Sequence, residues 1–224
     1  MTYIVGLTGG IGCGKSTIEK MFLAQGNVAI IDTDVIAHEL QQPGKAGFVF
    51  IKQAFGDAVV NFDGTLNRDY LRNLVFNDKE QKAKLESIMT PLIYHVVLDE
   101  IAKVNQESVL NKIKAKLSGD TGYEVKYIIL TVPLLLESKV FSKLVDRILV
   151  VDCPEDVQVA RVMKRSGLSK KMAEKILQAQ CPRIFRIMKS DDVLHNYDCD
   201  PSDNEEAVKA LHQRYLDLAI QGTK

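Results

Sequence analysis

Gly9-Gly10-Ile11-Gly12-Cys13-Gly14-Lys15-Ser16, followed by Thr17, is the stretch that decides the fold. It reads G-x-x-x-x-G-K-[ST], a phosphate-binding loop, and its flanks fit that reading. Before it, Tyr3-Ile4-Val5-Gly6-Leu7-Thr8 is a short apolar run of the kind that forms a buried strand. After it, Ile18, Met21 and Phe22 recur at helical spacing. Glycines let backbone N–H groups curl around phosphate oxygens. The helix that begins near Lys15 turns its positive end toward the same anion. Lys15 is expected to reach the β- and γ-phosphates, and the Ser16 hydroxyl to ligate Mg²⁺. Gly10, Gly12, Cys13, Gly14 and Thr17 complete the nucleotide-binding loop. Two other glycine patterns fail here. The dinucleotide pattern G-x-G-x-x-G meets Lys15 where its last glycine belongs. The protein-kinase glycine loop fails at the same residue, and it lies on a hairpin rather than before a helix.

Outward from the loop, short apolar runs alternate with helical patterns. This predicts an α/β fold of the P-loop NTPase type, a three-layer sandwich around a five-stranded parallel sheet. The predicted strands are Tyr3–Leu7, Val28–Ile31, Tyr127–Thr131, Arg147–Val151 and Val193–Leu194. The first four are rich in Val, Ile and Leu without alternation, as strands covered on both faces should be. Ligands of such sheets gather at the carboxyl ends of the strands. The loop, Asp32, Thr33, Asp34 and Pro133 all fall at such ends, which supports the site independently of the motif.

Between the second and third strands, residues 36–123 keep mainly helical spacing, as at Leu71, Leu74 and Val75 and again at Leu92, Ile93, Val96, Val97 and Ile101. A crossover needs only one helix, so this stretch reads as an inserted lobe. It ends in Ser118-Gly119-Asp120-Thr121-Gly122, an expected surface loop. From Arg161 to Lys189 there are nine Lys or Arg residues and one acid, Glu174. Arg161 and Arg165 are four apart, hence on one helix face, and Arg183 and Arg186 are three apart. A mobile lid carrying arginines can neutralise a transferring phosphoryl group, and residues 155–189 are read as that lid. Residues 1–35, 124–154 and 190–224 remain as the nucleotide-binding core. The tail from Asn204 to Gln221 reads as a final amphipathic helix.

Composition removes several classes. The chain has 29 basic and 29 acidic residues in 224, so it lacks the basic excess of a general nucleic-acid binder. Its four cysteines and four histidines show no zinc spacing and fit reduced thiols better than a disulfide frame. The longest apolar stretch, Tyr127 to Leu136, is about half the ~20 residues that cross a membrane. The N-terminus has no secretory pattern, and a cytoplasmic location is expected.

A bound triphosphate can be transferred, hydrolysed for work or used as a timer. The base-reading N-K-x-D of GTPases is absent, since Asn111-Lys112-Ile113-Lys114 lacks the aspartate. Tyr127–Thr131 runs into Val132-Pro133 without the acid of motor ATPases. Acids instead close the second strand, in Ile31-Asp32-Thr33-Asp34. Asp34 is the candidate base for an attacking hydroxyl, and Asp32 the candidate to hold Mg²⁺ through water or to cap the next helix. On the residues alone, a kinase for another small molecule, such as a nucleoside monophosphate, or a non-transferring switch stays open.

The ordered set of motifs resembles one family, dephospho-coenzyme A kinase. It comprises the loop and its strand, Asp32-Thr33-Asp34, Asp63-Gly64-Thr65-Leu66-Asn67-Arg68, Val75-Phe76 and Pro91-Leu92-Ile93. It continues in Val132-Pro133-Leu134-Leu135-Leu136-Glu137, Val150-Val151-Asp152, Arg161-Val162-Met163-Lys164-Arg165, Gln180 and Asp192-Val193. The resemblance implies a nucleotide core, a helical lobe for the acceptor and a lid, with ATP and dephospho-coenzyme A as substrates and Mg²⁺ as cofactor. It implies transfer of the ATP γ-phosphate to the ribose 3′-hydroxyl, the last step of coenzyme A synthesis. In that mapping Asp34 is the base, Lys15 and Ser16 contact phosphate and magnesium, and Arg161 and Arg165 are lid residues toward ATP. Arg68, Pro133 and Glu137 fall around the acceptor. The sequence departs from the family's pattern at Thr90, often histidine, and at Cys13, usually serine or another small residue. It departs again at Asn196-Tyr197-Asp198 in place of Asn-x-Gly, and in a longer segment near residues 105–125.

Overall fold

The computed structural model describes residues 2–118, 124–197 and 201–222. Each apolar run forms a strand: β1 (Tyr3–Thr8), β2 (Val28–Asp32), β3 (Tyr127–Thr131), β4 (Arg147–Asp152) and β5 (Asp192–His195). They form one sheet in the order β2-β3-β1-β4-β5. β1 pairs in parallel with β3, Val5 opposite Ile129, and with β4, Leu7 opposite Leu149. β4 pairs in parallel with β5, Val150 opposite Val193. The first strand in sequence is therefore the middle strand of the sheet, and the loop that leaves it emerges at the centre of the carboxyl edge.

The lack of alternation in these strands follows from double coverage. All of β3 and all of β1 after Tyr3 are buried. On one face, Val5, Leu7, Tyr127, Ile129, Leu149 and Val151 pack against helices α1 (Lys15–Gln25) and α9 (Pro201–Gln221) through Ile18, Phe22, Val208 and Tyr215. On the other face Gly6 has no room for a side chain, since a Cβ would lie 2.6 Å from Leu135 and 2.9 Å from Val145. At the sheet edge Asp192 receives Arg147 Nη2 at 3.0 Å, Arg214 Nη1 at 2.8 Å and the Tyr215 hydroxyl at 3.1 Å. Burial pushes its carboxyl up, but the hydrogen bonds from Arg147 and Tyr215 outweigh this and hold it below the usual carboxylate range. One carboxylate thus fastens β4, β5 and α9 together.

The chain divides into two compact units, Met1–Ile31 with Ile101–Lys224, and Asp32–Glu100. The first holds the sheet together with α6 (Glu155–Ser166), α7 (Lys170–Gln178) and α8 (Arg183–Lys189), which fill the 155–189 stretch. The second holds α2 (Thr33–Leu40), α3 (Ala46–Phe55), α4 (Arg68–Asn77) and the first half of α5 (Lys79–Ser118). Its own core is Ile51, Val59, Leu66, Leu71 and Met89. The sequence sets the inserted lobe at 36–123; the compact helical unit runs from 32 to 100, because α5 continues beyond it and joins the sheet unit through bonds such as Thr2 Oγ1 to Asn105 Oδ1, 2.5 Å. α5 carries Pro91 inside it. The expected loop at 118–122 lies, from residue 119, outside the described residues, as do Asp198 and Cys199. Among the described residues no helix is long and apolar enough to cross a membrane.

Candidate active site

The loop turns because its glycines take conformations that side chains resist. Gly14 sits at φ 91° and caps α1, and a Cβ there would run into Asn196 Nδ2. Gly10 has an ordinary φ but no space, since a Cβ would collide with Gln158 Oε1 and lie 2.9 Å from Arg186 Nη2. Helix α1 starts with no side-chain cap and no acid in its first turn. Thr17 N and Ile18 N donate to Gly14 O, which leaves the first N–H groups, those of Lys15 and Ser16, and the positive end of the dipole to an outside anion. Lys15 Nζ lies against the loop, 2.9 Å from Gly9 O and 3.4 Å from Gly10 O. Ser16 and Thr17 are exposed at the helix start, and the Ser16 hydroxyl makes no hydrogen bond among the described residues.

The loop rests on a polar scaffold drawn from distant parts of the chain. Asn196, buried after β5, donates Nδ2 to Cys13 O at 2.7 Å and accepts from Asn204 Nδ2 at 2.9 Å. Arg161 Nη1 donates to Asn196 O at 2.9 Å and stands 3.5 Å from Gly12 O. Gln180 Oε1 accepts from Ile11 N at 2.9 Å. Gln158 Nε2 donates to Cys153 O at 2.6 Å, which directs its other amide atom, Oε1, at Gly10. Cys13 is buried in the main core with its Sγ 3.9 Å from Lys15 Nζ, and burial pushes the neighbouring Cys153 thiol up. Thr8 Oγ1 donates to Pro133 O at 3.1 Å, which ties the end of β1 to the segment after β3.

Of the arginines read as lid residues, each has a distinct setting. Arg161 lies beneath the loop, as described, and Arg165 is exposed on α6. Arg183 makes a fork with Asp152 at the end of β4, with Nε to Oδ1 and Nη2 to Oδ2 both 2.7 Å. His195 Nδ1 is 3.3 Å from the same Oδ2. The Arg183 hydrogen bond is the main reason that Asp152 lies below the ordinary carboxylate range, with burial opposing it. Arg186 is 7% exposed and bonds to Cys181 O. Glu137 reaches the same turn, its Oε1 accepting from Cys181 N at 2.8 Å. Between α6, α7 and the start of α8 opens a cleft of ≈ 710 Å³ bordered by Gln180, Arg183 and Arg186.

The remaining candidates belong to the helical unit. Asp32 caps α2, its Oδ1 accepting from Asp34 N at 2.8 Å. Asp34 is exposed in the first turn of that helix, and Arg68, at the start of α4, points Nη2 to His38 O at 3.4 Å. The sequence names Asp152 only within a family motif and Arg186 only as one of the 155–189 arginines; the pairing of Asp152, the placement of Gln158 and the buttressing use of Asn196 are not apparent from it. The one signal toward Arg186 is its spacing from Arg183. Gln158 carries none and Asn196 is marked only by the departure from Asn-x-Gly, because the loop residues they face, Gly10 and Cys13, lie far away along the chain.

Comparison with known proteins bears on this arrangement. The family model for dephospho-CoA kinase matches residues 3–200. A dephospho-CoA kinase of Thiobacillus denitrificans is 42% identical over 217 residues, covering 97% of each chain. Among solved structures, TT1252 from Thermus thermophilus superposes with a TM-score of 0.74 at 28% identity, covering 95% of this chain and 97% of that one. A dephospho-CoA kinase from Campylobacter jejuni shares the fold, with a TM-score of 0.65 at 23% identity over 97% and 98% of the two chains. With a phosphate loop at the centre of the sheet and this likeness over nearly its whole length, the chain belongs to the dephospho-CoA kinase family.

Proposed function

We propose that this chain transfers the γ-phosphoryl group of ATP to the 3′-hydroxyl of dephospho-coenzyme A, giving coenzyme A and ADP in the cytoplasm as the last step of coenzyme A synthesis. The observation that carries the reading is the loop itself: an uncapped helix N-terminus, glycines where no Cβ fits, and a lysine ammonium folded onto the loop carbonyls. Backbone donors and Lys15 neutralise the triphosphate, and its arrival draws the ammonium off Gly9 O and Gly10 O. Cys13 contributes its backbone to the loop.

Asp34 takes the proton of the attacking hydroxyl. Arg68, Pro133 and Glu137 hold the acceptor, and Arg165 adds positive charge from α6. Arg161 acts on ATP by holding the loop that binds it. Most of the acceleration comes from positioning and electrostatics, since the protein forms no covalent bond to the phosphoryl group. Mg²⁺ is the expected cofactor. The Ser16 hydroxyl, free of protein partners among the described residues, and the Asp32 carboxylate are hard oxygen donors of the kind that ion takes. The ion supplies neutralisation of phosphate charge.

The test is an incubation with ATP and Mg²⁺ and one acceptor at a time, measuring ADP. Formation of ADP with dephospho-coenzyme A and not with AMP is the expected result. ADP formed equally without an acceptor, or only with AMP, contradicts the assignment.

A further inference from the structure

Burying a charged side chain is costly unless it is paired, and the described residues of the sheet unit follow that rule with one exception. Asp152 pairs with Arg183, and Asp192 pairs with Arg147 and Arg214. Arg186 is buried, at 7% exposure, yet no carboxylate lies within 4 Å of it among the described residues. Its one hydrogen bond there is to a neutral carbonyl, Cys181 O. The other end of its fork, Nη2, stands at Gly10, 2.9 Å from where a Cβ would be.

Gly10 is also where Lys15 points, with Nζ 3.4 Å from its carbonyl. Two cations from distant parts of the chain converge on one loop residue, and neither has an acidic partner among the described residues. Two cations without an acidic partner among the described residues, at a glycine with no room for a side chain, mark a place built to meet an anion rather than to stabilise the protein alone.

We propose that Arg186 is a phosphate ligand of the nucleotide site, carried to the loop by α8, and that the triphosphate is its counter-ion. The inference rests on the loop being the ATP site and adds a residue to it. Of the arginines in the 155–189 stretch, Arg186 is the one the geometry selects. Arg161 is spent on Asn196 O, Arg183 is held in a fork by Asp152, and Arg165 faces solvent. A guanidinium presents two parallel donors to phosphate oxygens, so a hydrogen-bonding substitute without charge replaces it poorly.

The experiment measures dissociation constants for ATP and for AMP, by calorimetry, on the wild-type protein, Arg186→Gln and Arg186→Lys. Comparing the two nucleotides separates phosphate recognition from general damage to the fold. A lost charged hydrogen bond predicts that Arg186→Gln weakens ATP about ten- to hundredfold, with AMP little changed. Arg186→Lys keeps the charge and should fall between, which preserves the test if the glutamine variant does not fold. A folded variant of either kind that keeps the wild-type ratio of ATP to AMP affinity overturns the proposal. Failure of the wild-type protein to bind ATP would instead overturn the nucleotide reading, and it would be seen before any substitution is made.

Discussion

Asp152→Asn should loosen the anchorage of α8 by an amount the geometry lets one work out. The Asp152 side chain is 2% exposed, and both its oxygens take an Arg183 N–H at 2.7 Å. Asparagine keeps the shape but offers one acceptor oxygen and turns an amide N–H₂ toward the guanidinium. Each charge-assisted bond contributes about 1.5–3 kcal/mol. Arg183 is 34% exposed, so water recovers part of the loss, and a net cost of about 2–3 kcal/mol follows. In a chain of this size that lowers Tm by about 4–12 °C. The pH dependence has a fixed sign. Arg183 holds the folded-state carboxyl low, so the contribution is fully present above the unfolded carboxylate value of about 3.9. It is lost as pH falls through the depressed folded value. Thermal denaturation of both proteins at pH 5 and 3.5 should show a gap that is smaller at the second. A gap under about 0.5 kcal/mol at pH 5, or one that does not narrow in acid, refutes the reasoning.

Other substitutions separate chemistry from scaffold. Lys15→Ala removes the ammonium from the loop and should cut kcat/KM for ATP about a hundredfold or more, with Tm in the absence of nucleotide changed by only a few degrees, read by steady-state kinetics and melting. Asp34→Asn should leave ATP affinity near wild type by calorimetry while slowing transfer about a hundredfold; transfer at the wild-type rate removes Asp34 as the base. Arg161→Ala strips a donor from Asn196 O beneath the loop. It should lower stability by about 1–2 kcal/mol and weaken ATP together, and a variant that weakens ATP with no change in Tm would mean that the side chain contacts nucleotide directly.

Much of this was open to reading because its causes are local. A strand covered on both faces must be continuously apolar, so Tyr3–Leu7 and Tyr127–Thr131 declare themselves without a structure. Gly14 needs glycine for its own backbone conformation, at φ 91°, whereas the crowding at Gly10 comes from Gln158 and Arg186, far along the chain. The use of Asp32 as a helix cap is an i to i+2 bond, and the sequence carries it. Asn196, Gln158 and Asp152 were not readable in that way. Asn196 meets Cys13 O across 183 residues of chain and Asp152 meets Arg183 across 31, and nothing at either end marks the partner. The same limit applied to the lid arginines. A count of positive charge identifies the segment, but only burial and the positions of the carboxylates distinguish Arg186, without an acid among the described residues, from Arg183, with one. The bounds of the helical lobe are not legible for a different reason, since α5 keeps its helical period past the point where its packing changes unit.

The central claim is that the loop after β1 presents the terminal phosphoryl of ATP to the 3′-hydroxyl of dephospho-coenzyme A. A single-turnover reaction with ATP labelled in the γ-phosphate, enzyme in excess and dephospho-coenzyme A present, tests it most directly. The label should appear at the ribose 3′-position of the product, with the free-phosphate fraction small. Label released mainly as inorganic phosphate, or carried on another hydroxyl, would contradict the account.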